Sequence, residues 1–307
     1  TKFTPEGYEK GISYLLKATR IDPADPLPWA RLALGYNTAG HGGNQPADAF
    51  NKAKAAAEKA LKLDPSFGEI HLARALVDLY QEWDWKAAED NLIKTLKFDP
   101  NLAEAHAHYS YFLMLKGASV KNVVTEQKLA IKLDPFRPLY QTFLGYIYMW
   151  AEDYGKAIEY CNDALSLDPE FSLAHYTLGL TYSLMENHEE AGTYYRKAAE
   201  LNSNWEYSLA LHHAMAGREK EARQIATKIG EDPKPIDTWG LTEVYTVLGD
   251  YDKAFKWLEE CYDVRFSWYP WFYWHNYYQP LKNDPRFEIH VKRLALPAKV
   301  PLAQSFQ

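Results

Sequence analysis

PLYQTFLGYIYMWAEDYGKAIEYCNDALSLDP, residues 138–169, is the stretch that decides the fold. It contains two helical patterns separated by a short polar turn. Each pattern has an apolar stripe at the spacing of a helix face: Leu144, Gly145 and Tyr148 in the first, and Ala157, Cys161 and Ala164 in the second. Because proline cannot continue a helix, the stretch predicts a helix–turn–helix unit that ends before Pro169.

The same unit recurs along the chain. The dipeptide Asp-Pro ends five successive helical phrases, and the spacings between its prolines are 42, 35, 35 and 34 residues. These prolines are Pro23, Pro65, Pro100, Pro135 and Pro169. A period of about 34 residues with one helix–turn–helix per period is typical of tetratricopeptide repeats, or TPRs. The sequence therefore predicts an all-α TPR solenoid, a right-handed superhelix of such units with an aromatic C-terminal cap.

The repeat pattern predicts three regions. Residues 1–25 resemble a half repeat with a second helix only, residues 26–265 hold about six repeats of which the last two are degenerate, and residues 266–307 combine an aromatic segment with a short capping helix. We expect an insertion around Asn37 to Asp48 and about one extra residue in each of the repeats that begin near Gly68 and Ala103. The half repeat suggests a chain taken from a longer protein.

Several phrases go beyond the general repeat pattern. They are Trp83-Asp84-Trp85, Asp284-Pro285-Arg286-Phe287, Leu294-Ala295-Leu296-Pro297 and the half repeat TPEGYEKGISYLLKATRIDP. Together they resemble the TPR region that lies C-terminal to effector domains in bacterial multidomain regulators, which include winged-helix transcriptional regulators, class III adenylate/guanylate cyclases and Ser/Thr kinases. The resemblance implies a non-catalytic interaction region that regulates an effector domain of the same full-length chain.

Composition excludes other classes. The net charge of −7 disfavours a nucleic-acid surface. No apolar stretch reaches the roughly 20 residues of a membrane span, and no signal peptide is visible. These features favour a cytoplasmic location, although the missing initial Met leaves the compartment open. Aromatic residues make up 15% of the chain, so the question is where the rings lie.

The TPR resemblance implies that the first helices line a concave groove. The predicted groove side chains are Leu72, Leu76, Tyr80, Tyr111, Met114, Tyr146, Met149, Trp150, Tyr176 and Leu180. An exposed apolar stripe of this kind marks a partner site, so we expect a protein or peptide with apolar or aromatic anchors. An alternative stays open, in which a C-terminal segment or a neighbouring domain covers the groove. Arg31 is the isolated basic candidate, which argues against gripping a C-terminal carboxylate.

The segment Phe266–Tyr278, FSWYPWFYWHNYY, has nine aromatic residues among 13. It would cap the last repeat, because repeat arrays need their final apolar face closed. It could also form a ligand platform, for example for a carbohydrate, or a homo-oligomer interface. The platform residues would be Trp268, Trp271, Trp274 and Tyr277. The helix that follows is expected to bury Phe287, Ile289 and Leu294.

No pattern of catalytic, cofactor or metal residues emerges, so the sequence predicts a protein that is not an enzyme. The glycine-rich stretch Gly40-His41-Gly42-Gly43 lacks the Lys-Ser/Thr of a phosphate loop and is interpreted as an insertion loop. His71, His106 and His175 share one repeat position, where we expect core packing with a hydrogen bond. Cys161 and Cys261 are interpreted as small core residues.

Overall fold

The computed structural model describes residues 5–41 and 48–296. The α-helices of these residues are, in chain order, α1 (Pro5–Ile21), α2 (Pro26–His41), α3 (Ala49–Leu63), α4 (Gly68–Val77), α5 (Trp85–Phe98), α6 (Ala103–Leu115), α7 (Val120–Leu133), α8 (Pro138–Trp150), α9 (Tyr154–Leu167), α10 (Ser172–Leu184), α11 (His188–Leu201), α12 (Tyr207–Met215), α13 (Glu219–Ile229), α14 (Pro235–Val247), α15 (Tyr251–Asp263) and α16 (Pro285–Leu294). The described ranges contain no β-strand. The predicted all-α TPR fold is confirmed.

The helices from α2 to α15 form seven successive pairs in chain order within the described residues. The sequence predicted about six repeats, of which the last two are degenerate. Residues 42–43 of the predicted glycine-rich loop lie outside the described residues, whereas Gly40 and His41 end α2.

The chain divides into two compact units, Thr1–Phe112 and Leu113–Gln307. In the first unit, the apolar side chains of α1 pack against a core of mostly alanine residues from α2, α3 and α4. The contributing residues of α1 are Ile12, Leu15 and Leu16. In this arrangement α1 covers the first full helix pair, as a second helix of a preceding repeat would.

The Asp-Pro dipeptides build the turn between repeats. The Asp168 side chain accepts a hydrogen bond from the backbone N–H of Glu170 at 3.1 Å, and Asp64 accepts one from Ser66 at 2.8 Å. This local bond competes with helix continuation, while the adjoining proline removes a helix donor. Each Asp-Pro therefore ends one helix and starts the turn to the next repeat.

The turn inside a repeat also has a fixed form. Glu152 has a φ of 60° and Gly249 one of 69°, both in the left-handed region. The following residue caps the second helix: the Asp153 side chain accepts from the Lys156 N–H. Glycine adopts this conformation without steric cost, so the repeats with a glycine here match their local backbone better than those with Glu.

The extra residue of the repeat beginning at Gly68 is accommodated in the helix. A π-helical turn, Asp78–Glu82, continues α4, and Trp83 then takes the left-handed conformation with a φ of 54°. The buried Asp78 carboxylate pairs with Arg74 at 2.5 Å and accepts from Asn91 at 3.0 Å. These partners offset part of the cost of burying its charge, and burial still raises the pKa of Asp78 above its ordinary value.

The C-terminal helix α16 packs against α15. Arg293 pairs with Glu259 at 2.7 Å, and the rings of Phe255 and His290 stack at 5.9 Å. The buried side chains of α16 are Phe287, His290, Val291 and Leu294. The expectation for Ile289 was wrong: it is 52% exposed, because the face that packs follows the i, i+3, i+4, i+7 spacing from Phe287.

Candidate protein-interaction surface

The first unit contributes four of the predicted groove residues. Leu72 and Leu76 lie on α4, Tyr80 lies on the π-helical turn, and all three are buried. Tyr111 on α6 is half-buried, and its ring meets Tyr80 edge to face at 5.4 Å. Tyr80 is further held by a hydrogen bond of 2.9 Å between its hydroxyl and His108 Nδ1. Tyr111 is therefore the predicted groove residue of this unit whose ring solvent reaches.

The second unit contributes the other six. They are Met114 on α6, Tyr146, Met149 and Trp150 on α8, and Tyr176 and Leu180 on α10. Five of these side chains are buried, whereas Tyr146 is half-buried. The expectation of a solvent-exposed stripe therefore fails for most of these residues.

The segment Phe266–Tyr278 covers the first helices α8 and α14 of this unit. Trp150 of α8 meets the Trp271 ring at 5.7 Å and the His275 ring at 5.1 Å, both edge to face. Trp239 of α14 meets His275 at 5.7 Å and Tyr278 at 5.2 Å. The first helices of this unit thus hold a segment of their own chain by ring contacts. We call this arrangement the aromatic surface.

The predicted platform residues are mostly inaccessible. Trp271, Trp274 and Tyr277 are buried, and Trp268 is half-buried, with its ring 6.0 Å from Trp205. A stacking platform needs exposed ring faces, so among these four residues only Trp268 offers part of one.

A carboxyl group lies inside the aromatic surface. Glu243 of α14 is fully buried, and Tyr176 donates a hydrogen bond of 3.4 Å to its Oε2. His275 Nε2 lies 3.5 Å from Oε1. Burial raises the pKa of Glu243 to about 8 and lowers the pKa of His275 to about 3. Both groups are therefore uncharged near neutral pH.

Sequence reasoning missed Glu243. The available signal was a carboxyl group in the middle of a first helix, PIDTWGLTEVYTV, whose other central residues are apolar or threonine. Its partners come from distant parts of the chain, Tyr176 from α10 and His275 from the segment after α15, so spacing alone could not reveal them.

The shared histidine position has a structural role. His175 Nε2 lies 3.0 Å from the carbonyl oxygen of Pro169, His71 Nε2 lies 2.8 Å from that of Pro65, and His106 Nε2 lies 3.0 Å from that of Pro100. Trp29 donates to the Pro23 carbonyl from the same offset, at 3.2 Å. A ring N–H therefore ties the first helix to the turn that precedes it.

His175→Phe should lower the free energy of unfolding by about 0.5–1.5 kcal/mol, because phenylalanine keeps the ring but loses the hydrogen bond to the Pro169 carbonyl. The complementary change is Gln141→His. Gln141 lies six residues after Pro135, where other repeats have histidine, and its side-chain Oε1 has no hydrogen-bond partner. This change should stabilise the chain by roughly 0.5–1.5 kcal/mol. Urea unfolding measures both, and equal stability of His175→Phe and wild type would contradict the assignment.

The described ranges contain no candidate metal site. There, no group of three or more His, Cys, Asp or Glu side chains could hold a metal ion. Among the described helices, none has both the length and the hydropathy that a membrane span requires. Arg31, the isolated basic candidate, pairs with Glu69 at 3.0 Å. Cys161 and Cys261 are free and buried.

Comparisons with known proteins agree with the repeat. Family models described as tetratricopeptide repeat match residues 138–171 and 173–204. Anaphase-promoting complex subunit 3 of Schizosaccharomyces pombe is 23% identical over 192 residues, which cover 60% of this chain and 28% of that protein. The chain thus spans less than a third of that relative's length.

Solved structures show the same fold. A chain of the APC/C hetero-tetramer Cut9-Hcn1 is similar with a TM-score of 0.62 and 16% identity, over 94% of this chain and 52% of that one. An IFIT1 monomeric mutant gives 0.64 and 18%, over 96% and 68%. PilW, a type IV pilus biogenesis factor, gives 0.55 and 20%, over 67% and 93%. The chain therefore contains tetratricopeptide repeats and has the all-α TPR fold, which typically serves as a protein–protein interaction scaffold.

Proposed function

We propose that this protein is a non-catalytic scaffold whose first-helix face binds a peptide segment with aromatic anchors. The observation that supports the proposal is the aromatic surface itself. There, Trp150 and Trp239 already hold the rings of Trp271, His275 and Tyr278 from an irregular segment of the same chain. The ring contacts that hold this segment show which chemistry would recognise an aromatic anchor of a partner.

Each unit has one half-buried ring that we propose, taken by itself, as a contact for a partner. Tyr111 in the first unit and Tyr146 in the second keep part of their surface exposed, whereas their predicted neighbours are used for packing. Tyrosine suits this role because its ring supplies apolar area and its hydroxyl supplies a hydrogen bond. The buried members of the predicted groove would act by holding these two rings in place.

The test is a displayed random-peptide library screened against the whole chain. Enriched peptides should carry aromatic residues, and Tyr146→Ala should weaken their binding by roughly tenfold or more in calorimetry. Tyr14→Ala is the matched control, since Tyr14 is a tyrosine of α1 that is 62% exposed. Peptides that bind wild type, Tyr146→Ala and Tyr111→Ala with equal affinity would overturn the proposal.

The proposal extends to the regulation of an effector domain in the same full-length protein. Its support is the resemblance to TPR regions of bacterial multidomain regulators. Burial of Trp271, Trp274 and Tyr277 favours peptide binding over the alternative of a carbohydrate stacked on these rings. The effector's activity, measured in the full-length protein with and without an enriched peptide, tests this part. Identical activity in both would contradict it.

A further inference from the structure

Five basic side chains come together on α11, α12 and α13. They are His188, Arg196, His212, His213 and Arg218, and we call them the basic cluster. The side chain of His212 lies at its centre, because Arg218, His213, Arg196 and His188 all act on its charge. Arg196 and Arg218 are exposed, and His213 is half-buried, so solvent reaches the outer members.

Arg218 donates hydrogen bonds to the uncharged imidazole rings of His212 and His213. Its Nη2 lies 2.5 Å from His212 Nε2, and its Nε donates to His213 Nδ1 at 2.8 Å. A guanidinium group can only donate, so both imidazole nitrogens are acceptors and neither ring carries a charge. Burial, and then Arg218, lowers the pKa of His212 to about 4 and that of His213 below its ordinary value.

The two guanidinium groups have no counter-charge at ion-pair distance within the described residues. Arg196 donates to the Thr193 hydroxyl at 3.3 Å, and Arg218 donates to the two imidazoles. A Cβ atom at Gly192 would lie 2.7 Å from His212 Nε2 and 3.3 Å from Arg196 Nη1, so Arg196 also lies beside His212. Glu221 is an acidic group that acts on His213.

The place of Arg218 in the fold is also unusual. It occupies the N-cap of α13 without a capping hydrogen bond. Asp153 and Asp250, at the same place in two other repeats, accept a backbone N–H of the first turn, whereas Asp48 and Asn187 make no such bond. Arginine cannot accept, so Arg218 does not serve the helix end as Asp153 and Asp250 do.

We propose that the basic cluster binds a phosphate-type oxyanion, with Arg218 and Arg196 as the charged donors and His213 as a third. Guanidinium groups match the oxygens of a phosphate in geometry and charge, and such bonds are stronger than those to neutral acceptors. The anion supplies the counter-charge that the two arginines otherwise lack. It also offsets the positive charge of Arg218, which contributes to lowering the pKa of His213.

Calorimetric titration of the whole chain with inorganic phosphate in chloride buffer tests the proposal. We expect saturable binding that Arg218→Ala and Arg196→Ala each weaken by roughly tenfold. Arg223→Ala is the matched control, because Arg223 also lies on α13 but pairs with Asp250 at 3.1 Å. NMR of the imidazole protons should show that phosphate raises the pKa of His213. Absence of saturable binding, or an equal loss in Arg223→Ala, overturns the proposal.

A second probe separates two sources of the same chemistry. Phosphoserine blocked at both ends mimics a phosphorylated side chain, whereas inorganic phosphate mimics a free anion. Tighter binding of blocked phosphoserine supports recognition of a phosphorylated protein, and tighter binding of inorganic phosphate supports a free anion. The inference is independent of the proposed peptide face, since none of its residues belongs to that face.

Discussion

Glu243→Gln is expected to raise the free energy of unfolding at pH 7 by about 3 kcal/mol, since each unit of pKa shift is worth about 1.36 kcal/mol. The pKa of Glu243 rises from 4.5 in an ordinary environment to about 8 in the fold, and burial is the main cause. Glutamine fills the same space, its oxygen can accept from Tyr176, and it has no charge to bury.

The sign follows from proton uptake. Between pH 4.5 and about 8 the folded chain keeps a proton on Glu243 that the unfolded chain has lost. Stability from this group is therefore complete below pH 4.5 and is lost as the pH rises to about 8. The stabilisation by Glu243→Gln should accordingly vanish near pH 4 and reach about 5 kcal/mol above pH 8.

His275 acts in the opposite direction. Its pKa falls from 6.5 to about 3, so its contribution is present above pH 6.5 and is lost as the pH falls through about 3. Between pH 4.5 and 6.5 the two slopes oppose each other, and these two groups together should leave stability nearly constant there.

Urea unfolding at a series of pH values measures these effects. Glu260→Gln is the control, because Glu260 is an exposed glutamate of the adjoining helix α15 and its change should leave the profile as in wild type. If Glu243→Gln destabilised the protein at pH 7, Glu243 and His275 would form an ion pair in the fold, and the interpretation as an uncharged pair would be wrong.

Trp271→Ala is expected to lower the free energy of unfolding by about 3–5 kcal/mol, the usual cost of removing a buried aromatic side chain. Trp271 is 5% exposed and packs edge to face on Trp150 at 5.7 Å. The loss would act on the contact between the C-terminal segment and α8, so the segment should become more accessible to protease than in wild type.

Tyr14→Ala is the control for Trp271→Ala, because removing a largely exposed aromatic side chain should change the free energy of unfolding little. A double-mutant cycle with Trp150→Ala isolates the contact, with an expected coupling of roughly 0.5–1.5 kcal/mol. A coupling near zero would show that the two rings stabilise the fold independently, and it would contradict the role given to this contact in the aromatic surface.

Local patterns of the sequence predicted much of the fold. The Asp-Pro phrases identified the ends of the second helices, because an Asp side chain and a proline act on their own backbone within two residues. The histidine position was likewise predictable as a packed ring with a hydrogen bond. Ile289 was misplaced on α16, because the buried helix face was inferred from three residues only.

The sequence by itself determined the repeat, the all-α TPR fold and the concentration of rings in Phe266–Tyr278, because all three follow from residues close together in the chain. Only the tertiary structure decided which rings are exposed. Trp150 was expected on an open face, yet it lies beneath Trp271 and His275. The physical reason is that burial depends on which distant segment covers a surface, and no local spacing encodes that choice. The same contact between distant segments buries Glu243 and makes it uncharged.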